Sequence, residues 1–272
     1  MVRVSLVTDS STCLPDSAVE RLGIRLVPVT VQVPGAERRD DAGQLPGRIS
    51  EAIEQDQLVR SAHPFITDYL AAIEDSDAGQ VVVVTPAMEF AGMYRNASLA
   101  TELAAKVAVA IDSRTAAAGQ ALVVLAGAEA AAAGAGLDEV VRVVEDASRR
   151  VDLVASLETL VPIRRSHRVP DFALRAAELE GMRSVFRMRG GAVEPLDASA
   201  TTEHALQTIL KEWDAGTAGR PERATVFHAD CAEVATRLSE LLGEVDFVSG
   251  FSPAMQVHTG RGVVGAAWLP RP

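Results

Sequence analysis

The chain has 272 residues, of which 48% are hydrophobic and 23% charged, so it carries ample apolar material for one large α/β domain or two smaller ones. Only 4% of the residues are aromatic, which leaves a core to be built from Ala, Val and Leu. A formal net charge of −11 repels phosphate backbones and argues against a nucleic-acid partner; the basic run Arg164, Arg165, His167, Arg168 reads as a solvated face.

In chain order, residues 2–7 form a short apolar run that reads as a buried strand, stopping at the polar turn Thr8, Asp9, Ser10, Ser11. Leu14, Pro15 and Asp16 open a short helix that Gly23 ends, and residues 24–33 are β-branched and predict a second strand. Residues 34–44 read as a polar loop with a charge cluster over 37–41, and 45–53 have helical spacing. Pro64 suits the first position of a helix running to Ile73. A strand over 81–84, a helix over 92–106 and a strand over 107–111 ending at Asp112 and Ser113 follow, then helices over 115–133 and 137–149 and a strand over 151–155. This alternation is the pattern of a parallel sheet covered on both faces.

Residues 116–136 are almost free of charge and long enough to span a bilayer. They are mostly alanine, however, and Gln120 and Glu129 interrupt them, so a helix packed between protein layers is expected and stable membrane insertion is not. Arg3 and Asp9 within the first apolar stretch do not fit a signal peptide. Cys13 and Cys231 form neither a metal spacing nor a disulfide framework, which fits a reducing, cytoplasmic setting.

Beyond residue 160 the pattern changes. Residues 170–179 are helical, and 182–188 and 192–196 flank Arg189, Gly190, Gly191, a hairpin turn. A helix over 202–213, a strand over 224–228, a helix over 232–242 and strands over 245–248 and 263–268 complete the chain. The expected organisation is a parallel-sheet α/β domain over residues 1–160 and a mixed or antiparallel α/β domain over 161–272.

In an open parallel sheet, ligands bind beyond the carboxyl ends of the strands. Three such ends are polar here: Thr8 to Ser11, Thr85, and Asp112 with Ser113. Each also suits a helix cap, but together they suggest a polar cleft. Ser61 and His63, before Pro64, can cap a helix or face a ligand at its N-terminus. His258, Thr259, Gly260, Arg261, Gly262 is a glycine-rich bend whose backbone N–H groups can face an anion. The sequence contains no nucleophile elbow, metal cluster or dinucleotide fingerprint, so no catalytic residue, metal or cofactor is expected.

Several stretches, in order and across nearly the whole chain, resemble the DegV family. They are Val7, Thr8, Asp9, Ser10, Ser11 with Leu14 and Pro15; Pro28; Phe90, Ala91, Gly92, Met93, Tyr94 with Ala97; Ile111, Asp112, Ser113 with Gly119; Ser156 to Leu160; and His258, Thr259, Gly260 with Gly262. The resemblance implies a two-domain α/β fold that encloses a long-chain fatty acid, does no chemistry alone, and presents the carboxylate to a separate fatty acid kinase. It places Ser61 and His258 near the carboxylate and Thr8, Asp9, Ser10, Ala91, Gly92, Thr259 and Gly260 around the ligand. This chain departs from the family pattern at Ala62 and Ala91, where hydroxyl residues are usual, at Ile163, Arg164, Arg165 in place of Gly, Gly, Arg, and at Ala200 in place of an arginine. The less polar head-group region at Ala62, Ala91 and Met93 motivates one alternative, a carrier for a different apolar ligand with no kinase coupling; the polar cleft with its glycine-rich bend motivates another, a small-molecule enzyme using Asp9, Ser10, Asp112 and His258 on a phosphorylated or acyl substrate.

Overall fold

The computed structural model describes residues 2–33, 36–39, 51–52, 55, 57, 59–89, 92–166, 182–217 and 219–271. The expected helix over 170–179 and most of that over 45–53 lie outside these residues.

Four short apolar strands make a fully parallel sheet: β1 (Val4–Asp9), β2 (Arg25–Val27), β6 (Gln80–Thr85) and β7 (Val107–Asp112), in the order β2-β1-β6-β7. Helices α1 (Asp16–Leu22), α2 (Ile66–Glu74) and α3 (Met93–Leu103) lie in the crossovers. The helix expected to start at Pro64 begins at Ile66, with the Asp68 carboxylate accepting the Phe65 N–H at 2.8 Å.

The second expected strand, over 24–33, is two strands in two sheets. Pro28 lacks an N–H and ends the ladder after Val27. The chain then turns into β3 (Thr30–Val33), the middle strand of a small antiparallel sheet with β4 (Ala36–Arg39) and β5 (Arg60–Ala62). The polar stretch read as a loop therefore contains a strand, and Ser61 sits on a strand opposite Val31 rather than in a helix-capping loop.

The strand expected over 151–155 forms as β8 (Asp152–Leu157) but does not join the parallel sheet. It lies inside a six-stranded sheet of order β10-β9-β8-β13-β11-β12, made with β9 (Arg183–Arg189), β10 (Ala192–Ser199), β11 (Arg223–His228), β12 (Phe247–Gly250) and β13 (Val264–Leu269). The β11/β12 pair is parallel and the other pairs are antiparallel. The hairpin turn falls as expected at Gly190 and Gly191, whose φ angles of 58° and 86° are those of a type I′ turn.

Helix α4 (Ala117–Ala132) runs between the two large sheets, and α5 (Leu137–Arg150) packs along it. Ala118 and Leu122 pack with the six-stranded sheet, while Val123, Val124 and Ala128 pack with Leu6, Val82 and Val84 of the parallel sheet. An alanine-rich helix suits this place because small side chains let two sheets approach it closely. Gly127 gives α5 the same close approach, since a Cβ there would meet Val144 Cγ2 at 2.4 Å. No helix among the described residues is long and apolar enough to cross a membrane. Three further helices complete the second half: α7 (Thr202–Thr217) and α8 (Ala232–Leu242) cover the outer face of the six-stranded sheet, and α9 (Pro253–Thr259) follows β12. A short helix, α6 (Val161–Ser166), follows β8 and contacts α9.

Gly265 in β13 leaves room for the Phe227 ring; a Cβ there would lie 2.5 Å from both Phe227 Cζ and the Val154 carbonyl oxygen. A backbone oxygen cannot swing aside as a side chain can. Gly265→Ala is expected to destabilise the fold by about 1–3 kcal/mol, the usual cost of overpacking, read as a lowered urea midpoint at unchanged slope.

Candidate functional site

A cavity of about 170 Å³ lies between the inner face of the six-stranded sheet and the first half of the chain. Its floor is Leu153, Ala155 and Leu157 of β8, Phe186 and Met188 of β9, and Phe227 of β11. Its opposite wall is Ser11, Pro86, Ala116 and Ala117, at the carboxyl end of the parallel sheet and the start of α4. An apolar cavity of about 150 Å³ can stay dry and take a hydrocarbon guest, so this space suits an apolar group. Both halves of the molecule build it; it does not lie within the first-half α/β layers alone.

One end of the cavity is polar. Ser61 on β5 and His258 on α9, 197 residues apart in sequence, meet there, with Ser61 Oγ 2.6 Å from His258 Nε2. Either atom can be the donor, depending on the imidazole tautomer. Val29, Met93, Ala254 and Met255 surround the pair with apolar groups. His258 lies in the last turn of α9, a helix not expected from periodicity because it is only seven residues long. Its signal was local: Ser252 is the N-cap, accepting the Met255 N–H, and Pro253 stands at the first helical position.

The bend after α9 is not an anion nest. The Gly260 N–H donates to the Gln256 carbonyl at 2.8 Å and the Gly262 N–H to the Ala229 carbonyl at 2.7 Å, so neither faces a ligand. Their positive φ angles of 73° and 74° serve the turn, and Gly262 packs against the Glu158 side chain. Thr259 lines the cavity while its hydroxyl donates to the Met255 carbonyl at 3.1 Å. Gly92 caps α3 at an exposed position outside the cavity wall, and Ala91 lies outside the described residues.

Thr8, Asp9 and Ser10, expected to line the cleft, sit behind its wall. The Thr8 hydroxyl donates to the Val84 carbonyl at 2.8 Å, and Ser10 Oγ accepts the Val29 N–H at 3.0 Å. Asp9 is completely buried; Oδ1 accepts the Ser11 N–H at 3.0 Å and a short bond from the Ser11 hydroxyl, and Oδ2 accepts the Gln120 amide at 3.0 Å. Ser11 is the member of this turn that reaches the cavity. Of the other polar strand ends, Asp112 and Ser113 are used locally and Thr85 is not. Asp112 accepts the Arg114 N–H at 2.8 Å, Ser113 bonds to Thr115, and the Thr85 hydroxyl is buried with no partner among the described residues.

Burial raises the Asp9 carboxyl above its ordinary value of 3.8, while the Ser11 and Gln120 bonds pull it down. A raised folded-state value means that the native protein holds this proton more tightly than the unfolded chain does. Asp9's contribution is therefore full below pH 3.8 and lost as pH rises through the raised value. The stability margin of the wild type over Asp9→Asn is expected to shrink with rising pH, as measured by denaturant unfolding across a pH series; a margin that grew would reverse the assignment.

Among the described residues, no group of His, Cys, Asp and Glu is arranged to hold a metal ion. Arg187 touches the cavity, but Phe186 and Met188 point inward from the same strand, so its side chain projects from the opposite face. There it meets Asp152 at 3.2 Å and Glu212 at 2.9 Å. The arrangement suits a ligand with a long apolar body and a small polar end.

The sequence profile of the DegV family of uncharacterised proteins matches residues 3–271. A DegV domain-containing protein of Mycobacterium tuberculosis is 31% identical over 271 residues, covering 96% of this chain and 95% of that protein. The fold is similar to that of a DegV family protein from Thermus thermophilus described for its fatty acid binding (TM-score 0.90, 24% identity, 99% of this chain and 100% of that one). It is also similar to DegV from Bacillus subtilis, a fatty acid binding protein (TM-score 0.88, 20% identity, 100% of both chains). A third similar structure is a DegV family protein from Eubacterium eligens loaded with heptadecanoic acid (TM-score 0.87, 18% identity, 98% and 100%). By the span of the profile match and the identity to its relatives, the chain belongs to the DegV family.

Proposed function

We propose that this protein binds a long-chain fatty acid, with the tail in the cavity between the two halves and the carboxyl group at Ser61 and His258. The observation that carries the reading is the pairing of an almost wholly apolar cavity with one polar end, where two side chains from distant parts of the chain are 2.6 Å apart. Each buried methylene contributes about 0.8 kcal/mol, so a dozen supply on the order of 10 kcal/mol before the costs of binding. The polar end then fixes which end of the chain enters first. The binding of fatty acids by proteins of similar fold supports the same choice.

The reading is one of carriage in the cytoplasm rather than catalysis, since an almost wholly apolar lining suits holding a long chain. Handing the carboxyl group to a separate fatty acid kinase is its finer form. Ala200, exposed after β10, supplies no charge where the family pattern has an arginine, which weighs toward sequestration.

Mass spectrometry of the denatured, freshly purified protein tests the reading: a stoichiometric long-chain acid is expected. A preparation free of lipid that also fails to take up hexadecanoic acid contradicts it. Addition of a fatty acid kinase and ATP to the loaded protein separates carriage, with no acyl phosphate formed, from presentation.

A further inference from the structure

We infer that Ser11 is a specificity-determining residue of this cavity, and that it presents a hydrogen-bond acceptor which selects ligands whose polar end brings its own donor hydrogen. The inference rests on the proposed lipid-binding role and deepens it. The class of ligand it names is a long chain ending in an un-ionised carboxylic acid, an alcohol or an amide, in preference to an ester or ether.

Ser11 is 5% exposed, lines the cavity wall, and sits in the 3-10 turn Ser10–Thr12 that packs against α9, the helix carrying His258. A serine hydroxyl has one hydrogen to give and two lone pairs to accept with. Three donors converge on Asp9: the Ser11 N–H, the Ser11 hydroxyl and the Gln120 amide, the set expected around a carboxylate, which only accepts. The hydrogen of Ser11 is thereby committed to Asp9, and what remains for the cavity is oxygen lone pairs.

Asp9 cannot easily relax this arrangement. It is fully buried, and Gln120, also fully buried, is itself held by Thr8, to whose hydroxyl its amide donates at 3.0 Å. Thr8 is fixed in turn on the Val84 carbonyl. The chain of bonds runs from strand β6 through β1 and α4 to the cavity wall, all on rigid elements. Thr259, the third hydroxyl residue of the lining beside Ser11 and Ser61, likewise gives its hydrogen to a carbonyl of its own helix. Among the described residues, the cavity lining thus holds one exchangeable donor–acceptor pair, Ser61 with His258, and two acceptors. A polar end with only acceptors, such as an ester, leaves Ser11 desolvated without a partner; one with a hydrogen completes it. The buried carboxylate behind Ser11 adds repulsion toward a second negative charge.

Isothermal titration with hexadecanol, hexadecanamide, methyl hexadecanoate and hexadecyl methyl ether tests the inference. The wild type is expected to bind the alcohol and amide about tenfold more tightly than the ester and ether, the value of one buried hydrogen bond. Ser11→Ala is expected to reduce that ratio below about threefold by weakening the alcohol and amide only. Ser11→Cys, close in size and a poor acceptor, is expected to behave like Ser11→Ala, and thermal unfolding of both variants shows whether the fold is intact. Equal binding of all four lipids by the wild type overturns the inference. So does an equal loss for all four in an intact Ser11→Ala, which would make Ser11 plain wall. A wild type that binds none of the lipids and no hexadecanoic acid fails the broader function as well, an outcome distinct from binding without discrimination.

Discussion

His258→Ala is expected to weaken hexadecanoic acid binding by about tenfold to a hundredfold, because a carboxyl group left without its partner in a desolvated pocket costs about 1–3 kcal/mol. Ser61→Ala is expected to cost less, about tenfold, since a neutral hydroxyl makes a weaker bond. The two side chains bond to each other at 2.6 Å, so their effects should not add. Removing either one takes away a bond that orients the other, and the double variant should lose less than the two single losses combined. Calorimetric titration of the four proteins closes this cycle. Additive losses would mean that the pair does not act on a common head group, and no loss would mean that the head group lies elsewhere.

Ala155→Phe should have the largest effect on the tail. Ala155 sits on β8 with its side chain on the cavity floor, opposite Phe186 on the neighbouring strand. A benzyl group there takes the place of several methylenes of a bound chain. Displacing four of them forfeits about 3 kcal/mol, or about a hundredfold in affinity. The same substitution fills space in the unliganded protein, so its unfolding midpoint is expected to hold or rise. Weakened binding together with a lowered midpoint would indicate damage to the fold rather than occupation of the cavity. Shorter acids should suffer less than longer ones, since they reach less of the floor.

Much of the fold is legible from local pattern, and the site is legible only in part. The strands over 81–84 and 107–111 and the Gly190–Gly191 hairpin follow from apolar runs and turn chemistry, and the structure has them. The alanine-rich stretch reads as a layer-filling helix because alanine is too weakly apolar for lipid yet small enough to sit between sheets. What local pattern cannot carry is which sheet a strand joins. Residues 151–155 alternate with helices just as the earlier strands do, but β8 pairs with β9 and β13, partners far along the chain.

The same limit governs the site. Ser61 and His258 are both conspicuous in sequence, yet only the third sheet, with β3 and β5 paired, and the short helix α9 bring them together. Thr8, Asp9 and Ser10 are conspicuous as well, and they turn away from the cavity. At the end of a buried strand, polar side chains must first satisfy buried partners, and Gln120 and the Val29 N–H are nearer than any ligand. Ser11, one residue on, inherits the contact with the cavity. Nothing in the spacing of Thr8 to Ser11 distinguishes the residue that lines the cavity from those that hold it in place.

The most direct test is a crystal structure of the protein saturated with hexadecanoic acid. Continuous density for the chain is expected over Ala155, Phe186 and Phe227, with the carboxyl oxygens within about 3 Å of Ser61 Oγ and the His258 ring. An empty cavity at saturating ligand, or an acyl chain seated on another surface, would contradict the account.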